Sequence, residues 1–235
     1  MKEPFGSFFF KHTVMLDKST LVFLSSLKKN NNKPWFEKNR RLYEAAKDNL
    51  LALSAELIKQ LSKPQPAFHS IQPKETIFRI SRDVRFSKDK SPYKTNMGLY
   101  LNPDGKKADS PGYYIHIEPG KSFLAAGIWM PQPDTLARIR QEIDYNLKDW
   151  EKILNGKSFK QSFEKGLSQE DRLSRPPKGY DKENPAAAFL QLKSFVVIRP
   201  LNDADLTAKD FVKNAAKHFA HAKPMMDFLK IAISD

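Results

Sequence analysis

The chain has 235 residues, no cysteine and a formal net charge of +13. The lack of cysteine excludes disulfides, thiolate metal sites and cysteine nucleophiles, and nothing favours an oxidising compartment, so the cytoplasm is the expected location. A hydrophobic fraction of 40% excludes a disordered chain, and no apolar run is long enough to cross a bilayer. The positive charge favours anionic partners, although basic residues on solvated helices explain part of the excess.

The chain begins with a segment that does not fit a folded domain. Residues 1–14 contain a triple Phe but no signal-peptide cleavage pattern, and we interpret them as a loosely attached tail or a misassigned start before Met15. Residues 15–235 are predicted to form one domain. Its first helix spans 16–29. A second helix, 34–61, starts at Pro34 after a polar break and is expected to bend near Asn39.

Short strands follow these helices. Residues 76–80, 97–101, 113–118, 122–130 and 193–201 have strand character, and tight turns at 102–105 and 119–121 predict antiparallel hairpins. Residues 134–155, 185–190 and 207–233 are predicted helical, the last with Thr207 and Asp210 spaced as a capping box. Helices, then strands, then helices predict an α+β fold. We expect an antiparallel sheet of about five strands, with neighbouring N- and C-terminal helices packed chiefly on one face.

Positive charge concentrates in the connection between the first two predicted strands. Ser91-Pro92 predicts a turn there, and Tyr93 can anchor it by packing. A rigid scaffold can direct several basic side chains at one anion. The alternative is an ion-pair clamp of Arg82, Asp83 and Arg85 that only orders a long loop. Six basic residues face two acidic ones in this connection: Arg79, Arg82, Arg85, Lys88, Lys90 and Lys94 against Asp83 and Asp89.

The strand at 113–118 carries the candidate catalytic groups. Because side chains alternate along a strand, Tyr114, His116 and Glu118 share one face, while the apolar residues between them face the core. An imidazole beside a carboxylate suits general acid/base catalysis or metal coordination, and an ordinary solvent-facing strand is the simpler alternative. If neighbouring strands turn the same face outward, Arg79 and Lys193 can join this group, with the basic connection at its rim.

Two apparent motifs are set aside. Gly120-Lys121-Ser122 ends like a phosphate-binding loop but falls in a predicted hairpin, so we interpret it as a turn. His218 and His221 share one helix face but have no third ligand in view. We therefore predict a solvated or partly packed pair and no metal site.

Several of these segments together resemble a family of uncharacterised proteins, found in bacteria, fungi and plants, whose domain has no known function. Its hallmark is similar to R-D-x-R-F-S-K-D-K-x-P-Y-K, which residues 82–94 match. Further matches lie at residues 23–36, 114–120, 127–131, 177–185 and 193–195, so the resemblance runs from about residue 16 to residue 201. Asn184 departs from the pattern, in which a His is expected before the proline. The resemblance implies a compact cytoplasmic α+β protein and supplies no substrate, cofactor or partner.

Three functions remain open at this point. In the first, the protein binds or acts on a small anionic ligand, such as a phosphate ester or carboxylate. In the second, its basic loop and helices follow a nucleic-acid backbone. In the third, it binds an acidic protein. A small-molecule site needs a concave pocket, whereas nucleic acid needs an extended basic groove with exposed aromatic residues. The clustering of the motif favours the small ligand, without indicating whether a reaction occurs or how the chain assembles. The predicted catalytic residues are His116 and Glu118, and the predicted ligand-binding residues are Arg79, Arg82, Asp83, Arg85, Lys88, Lys90, Tyr93, Lys94, Tyr114 and Lys193.

Overall fold

The computed structural model describes residues 14–234. The predicted tail at 1–14 therefore lies outside the described residues, apart from Val14. The helices are α1 (Lys18–Lys29), α2 (Lys33–Lys38), α3 (Arg40–Ser62), α4 (Pro73–Thr76), α5 (Pro133–Tyr145), α6 (Leu147–Leu154), α7 (Lys157–Ser162), α8 (Ala187–Leu190), α9 (Asp203–Thr207) and α10 (Phe211–Ile233), with a 3₁₀ helix at Pro66–Ser70. The strands are β1 (Met97–Leu101), β2 (Gly112–Ile117), β3 (Phe123–Ile128) and β4 (Phe195–Pro200).

The four strands form one antiparallel sheet in the order β1-β2-β3-β4. The predicted hairpins between β1, β2 and β3 are confirmed: residues 102–111 connect β1 to β2, residues 118–122 connect β2 to β3, and both pairs are antiparallel. The long connection from β3 to β4 runs through α5 to α8, yet β4 still pairs with β3. The α+β class is thus confirmed.

The prediction of about five strands is wrong, because the described part of the chain forms four. The segment predicted as the first strand starts inside α4, and beyond it only two isolated bridges form, Ile77 with Leu99 and Ser81 with Tyr93. Ile77 and Ser81 are four positions apart along the chain, whereas their partners Leu99 and Tyr93 are six positions apart. Two extra residues on one side prevent a continuous ladder, as in a β-bulge. The result is an irregular ribbon that projects the basic loop from the edge of β1.

Two long predicted helices are each divided at an asparagine. Asn39 separates α2 from α3, and Asn146 separates α5 from α6; both residues have non-helical backbone angles. The Asn39 side chain donates to the Trp35 carbonyl at 2.8 Å, which offers the backbone an alternative to the helical hydrogen bond. The expected bend near Asn39 is thus a break.

The predicted capping box at the C-terminal helices is also misplaced. The box belongs to α9 and is formed by Asn202 and Asp205, each bonding the other's backbone N–H at 2.8–2.9 Å. Thr207 instead ends α9, and its hydroxyl donates back to the Asp203 carbonyl. Spacing alone could not distinguish the two candidate boxes, because both begin with a capping residue and place an Asp three positions later.

One face of the sheet is fully buried beneath α3 and α10, which also contact each other. Its inward side chains include Leu99, Ile115, Leu124 and Val197, all without solvent exposure. Phe219 of α10 stacks on the strand residue Tyr113 at 4.6 Å between ring centroids. Burial of each such side chain contributes about 1.5–3 kcal/mol to folding, so this face fixes the orientation of the sheet. None of the helices within residues 14–234 combines the length and apolar character that a bilayer crossing requires.

Candidate functional site

We call the sheet face turned away from α3 and α10 the open face. The alternation that buries Tyr113, Ile115 and Ile117 turns Tyr114 and His116 to this side, where both stay partly exposed. Strand register places His116 between Gly98 and Phe123, and Tyr114 between Tyr100 and Ala125. The open face thus consists of Gly98, Tyr100, Gly112, Tyr114, His116, Phe123, Ala125, Gly127, Val196 and Ile198.

Two glycines allow the tyrosine rings to lie across the open face. A Cβ atom on Gly98 would come within 2.7 Å of the Tyr114 hydroxyl, and one on Gly112 would come within 2.4 Å of the Tyr100 ring. Such separations are far below van der Waals contact, so a larger residue at either position would push the ring away. The rings therefore pack down onto backbone, and the Tyr114 hydroxyl is brought beside His116.

A row of polar groups runs along β2 and into the turn that follows it. The Tyr114 hydroxyl lies 3.0 Å from Nδ1 of His116, and Nε2 of the same ring lies 3.4 Å from Oε2 of Glu118. The other oxygen of Glu118 lies 3.6 Å from Nζ of Lys28, on α1. His116 also stacks on Phe123, with ring centroids 4.7 Å apart. The imidazole is therefore held between a hydroxyl and a carboxylate in a fixed orientation.

The protonation state of Tyr114 follows from its burial. Burial raises the pKa of the Tyr114 hydroxyl to about 12, so this group keeps its proton at neutral pH. A protonated hydroxyl can donate to Nδ1 of His116, which leaves the ring proton on Nε2, facing Glu118. The side chains of His116 and Glu118 are only 15% and 16% exposed. The three side chains thus form a continuous hydrogen-bonded row that is largely shielded from solvent.

Cations surround an aromatic residue at the edge of the open face. Phe78 contacts Tyr114 edge-to-face at 6.1 Å, and the ammonium groups of Lys94 and Lys106 lie 5.6 and 5.4 Å from the Phe78 ring centroid. Lys106 also donates to the Ile77 carbonyl at 2.8 Å. The ring face attracts both cations electrostatically, which holds them beside the tyrosine.

Lys94 carries a charge that its surroundings do not neutralise. Burial, and then the neighbouring guanidinium of Arg79, lower the pKa of the Lys94 ammonium. No carboxylate of residues 14–234 forms an ion pair with Lys94 or with Arg79. The Asp83 carboxylate is near enough for Arg79 to lower its pKa, but Asp83 pairs with Arg85. An excess of positive charge therefore remains at this edge of the open face and makes it attractive to an anion.

Within the basic loop, residues 82–94, most charged groups are already paired. Arg82 forms an ion pair with Asp89 and also donates to the Ser91 carbonyl and the Ser87 hydroxyl, both at 3.2 Å. Arg85 pairs with Asp83 through two hydrogen bonds, at 2.9 and 2.6 Å. These contacts hold the loop in one shape, and they use cations that the sequence assigned to a ligand.

The pKa values of the loop carboxyls follow from these contacts. Hydrogen bonds from Ser91, and then from Arg82, lower the pKa of Asp89 to about 2. The Arg85 guanidinium likewise lowers the pKa of Asp83. Both carboxylates therefore remain charged, and the clamps persist, across the physiological pH range.

The base of the loop is anchored in the core. Tyr93 stacks on Phe36 of α2 with ring centroids 4.0 Å apart, and Asn31 bonds both the N–H and the carbonyl of Tyr93 at 3.1 and 2.9 Å. Lys90 donates to the Val84 carbonyl at 3.0 Å. Tyr93 is therefore a packing residue, which fixes the position of its neighbour Lys94.

Most of the predicted site residues thus divide into two groups, and Lys88 and Lys193 belong to neither. Tyr114, His116 and Glu118 form one row, and Lys94 and Arg79 lie at its edge. Arg82, Asp83, Arg85, Lys90 and Tyr93 build the loop itself, whereas Lys88 is exposed and has no hydrogen-bond partner in the described structure. Lys193 precedes β4 at the end far from His116, because Pro200, at the other end of this strand, lies beside Phe123. The structure does not bring Lys193 to the row.

Sequence reasoning missed Lys28, Phe78, Lys106 and Phe123. Phe123 had a usable signal, since the tight turn at 119–121 pairs residue 116 with residue 123 once the hairpin is accepted. Lys28 had none, because it lies ninety positions before Glu118 on another element. Asn184, at the position where a His was expected, donates to Asp144 at 2.6 Å and is not part of this site.

A second polar cluster, which we call the Ser162 cluster, joins α7 to α10. The Ser162 hydroxyl lies 2.6 Å from Nδ1 of His221 and 2.9 Å from Nδ1 of His218. Burial, followed by the charges of Arg199, His221 and Lys217, lowers the pKa of His218 to about 4. Burial also lowers the pKa of His221. The predicted solvated or partly packed pair is therefore a partly buried, neutral pair.

Two cavities of the described structure lie outside the open face. One of about 730 Å³ lies between α6, α7 and α10 and is lined by His221 and Pro224; another, of about 280 Å³, lies beside the 3₁₀ helix. Within residues 14–234, no group of three or more His, Cys, Asp or Glu side chains is placed to hold a metal ion.

Comparison with known proteins places the chain in a family. No curated protein and no solved structure is significantly similar to it. A family model described as conserved hypothetical protein, DUF2461, matches residues 19–228, which include every strand, the basic loop and the polar row. The chain therefore belongs to the DUF2461 family of conserved hypothetical proteins.

Proposed function

We propose that this protein binds a small anionic ligand, a phosphate ester or a carboxylate, on the open face beside Lys94. The observation that carries the proposal is the uncompensated charge of Lys94. Its ammonium is partly buried and next to Arg79, and both effects oppose its charge. A bound anion removes both costs, so the free energy of binding includes the relief of an existing repulsion.

The neighbouring row supplies groups suited to such a ligand. The Tyr114 hydroxyl and the His116 imidazole are hydrogen-bonding groups on the face that Lys94 borders. Glu118, held by Lys28, sets the orientation of the imidazole. An imidazole between a hydroxyl and a carboxylate can accept or donate a proton, so the site is suited to acid/base chemistry on the bound ligand.

The test is thermal unfolding with millimolar phosphate, sulfate or acetate, each compared with chloride at equal ionic strength. The melting temperature of the wild-type protein should rise by about 2–4 °C for each kcal/mol of binding free energy. Lys94→Ala should abolish this rise in melting temperature, and Arg79→Ala should reduce it. Without the anion, both variants should melt at nearly the wild-type temperature. Lys178→Ala, which removes an exposed lysine in a distant loop, is the matched control and should retain the gain. An unchanged gain in Lys94→Ala would rule out the site.

A further inference from the structure

The basic loop ends in a tip, residues 83–90, that presents one aromatic side chain to solvent. Phe86 is 96% exposed. Burying a Phe side chain contributes about 1.5–3 kcal/mol to folding, and Phe86 contributes almost none of it. The only other apolar side chain of the tip, Val84, is half-buried. Folding therefore does not explain the presence of an aromatic residue at this position.

The tip is braced from the inside, so its shape does not depend on Phe86. The Arg82 guanidinium reaches across the tip to Ser87, Asp89 and Ser91. The Ser87 N–H donates to the Val84 carbonyl at 3.3 Å, and Lys90 donates to the same carbonyl at 3.0 Å. A ring held on a braced loop loses little conformational entropy when it binds a partner.

Cations flank the exposed ring. The Arg85 guanidinium lies 5.8 Å from the Phe86 ring centroid, and its side chain remains 76% exposed despite its pair with Asp83. Lys88, two residues along, is also exposed and forms no ion pair with any residue of 14–234. The tip thus combines one free aromatic face with two positive groups beside it.

We propose that the tip is a contact for single-stranded nucleic acid, in which Phe86 stacks on an unpaired base and Arg85 and Lys88 bind the adjacent phosphates. Stacking on any base requires a free ring face, and phosphate binding requires cations near that ring but in water. Insertion into a lipid surface fits less well, because one apolar side chain would carry a guanidinium and two nearby carboxylates towards the hydrocarbon. The proposal does not depend on an anion at Lys94.

The experiment is binding of labelled oligothymidylate, followed by fluorescence anisotropy across a salt series. Phe86→Ala should weaken binding by about 5- to 150-fold, the range for loss of one base–aromatic stack. It should not change the slope of log affinity against log salt, because it removes no charge. Lys88→Ala should reduce that slope by about 0.7, the value for one single-strand phosphate contact. Phe86→Trp should retain affinity, and a duplex of equal length should bind more weakly.

Tyr145→Ala is the matched control, since Tyr145 is 73% exposed on the distant helix α5; it should bind like the wild type. Equal affinities for Phe86→Ala and Tyr145→Ala, or no binding at low salt, would overturn the proposal. So would a Phe86→Ala defect confined to vesicles containing phosphatidylserine, or confined to self-association of the chain. The phosphate-dependent stabilisation of Phe86→Ala should equal that of the wild type, so the two proposals can fail separately.

Discussion

Positive charges crowd together in two regions of this molecule, and the two regions respond differently. In the Ser162 cluster, burial, and then the charges of Arg199 and other neighbours, lower the pKa of His218 to about 4. The ring stays neutral and bonds the Ser162 hydroxyl. At the open face, Lys94 is next to Arg79, but a lysine starts from a pKa of 10.5 and stays charged at neutral pH. A histidine removes the repulsion by losing its proton, whereas the lysine keeps its proton and its charge, and therefore favours a bound anion.

The largest expected effect is on the Ser162 cluster. Ser162→Ala should destabilise the protein by about 2–4 kcal/mol, because both imidazoles lose their partner in a partly buried position. Tyr114→Phe, which removes one hydroxyl from the open face, should cost about 1 kcal/mol. Urea unfolding at neutral pH measures both changes. Equal decreases in the free energy of unfolding would show that the Ser162 cluster and the open face tolerate the loss of a hydroxyl equally well, contrary to the difference described above.

A smaller effect should appear in acid. Because the pKa of His218 falls from 6.5 to about 4 on folding, the unfolded chain binds a proton first as the pH decreases. The associated stability is complete above about pH 6.5 and is lost between there and about pH 4. The loss should be about 1–2 kcal/mol, since the ring is partly exposed and solvent screens its neighbours.

His218→Gln tests this assignment, because an amide can still bond Ser162 but does not titrate in this range. The variant should lose less stability between neutral and acidic pH than the wild type, as measured by urea unfolding at each pH. His69→Gln, at an exposed position of the 3₁₀ helix, is the matched control and should show the wild-type change of stability with pH. If the free energy of unfolding of His218→Gln decreases as much between neutral and acidic pH as that of the wild type, the role given to His218 is wrong.

The smallest effect concerns Lys94 itself. Arg79→Ala should raise the pKa of the Lys94 ammonium by removing the adjacent cation, and millimolar phosphate should raise it in the wild type. NMR titration of the lysine side chains measures both shifts. Stability should change by less than about 0.5 kcal/mol, since Arg79 is an exposed residue. Arg41→Ala is a control that should leave the pKa of Lys94 unchanged. An unchanged pKa of Lys94 in Arg79→Ala would contradict the proposed repulsion between Arg79 and Lys94.

The polar row was predictable from sequence and most of its partners were not. Alternation along one strand placed Tyr114, His116 and Glu118 on a common side, and the structure places the three in sequence along it. The sequence left two interpretations of the basic loop open, a ligand site and an ion-pair clamp, and in the structure Arg82 pairs with Asp89 and Arg85 with Asp83. Sequence identifies which charges are near one another along the chain, and only geometry decides which of them are neutralised.

Errors in the fold have a similar origin. The first predicted strand had suitable side chains, yet two extra residues in its partner segment interrupt the ladder after single bridges at Ile77 and Ser81. Lys193 was included on a side-chain argument, but strand register puts it at the far end from His116. Both depend on pairing between segments, for which a single strand's pattern contains no information.

By itself the sequence determined the α+β class, the hairpins of β1 to β3, the face of His116 and the position of the basic loop. All of these follow from turn lengths and side-chain periodicity over a few neighbouring residues. The tertiary structure decided that Lys28 holds Glu118, that Ser162 joins two histidines and that Phe86 is exposed. It also decided that no carboxylate within residues 14–234 forms an ion pair with Lys94. These features depend on which distant elements pack together, because burial and charge pairing are properties of the assembled surface rather than of any one segment.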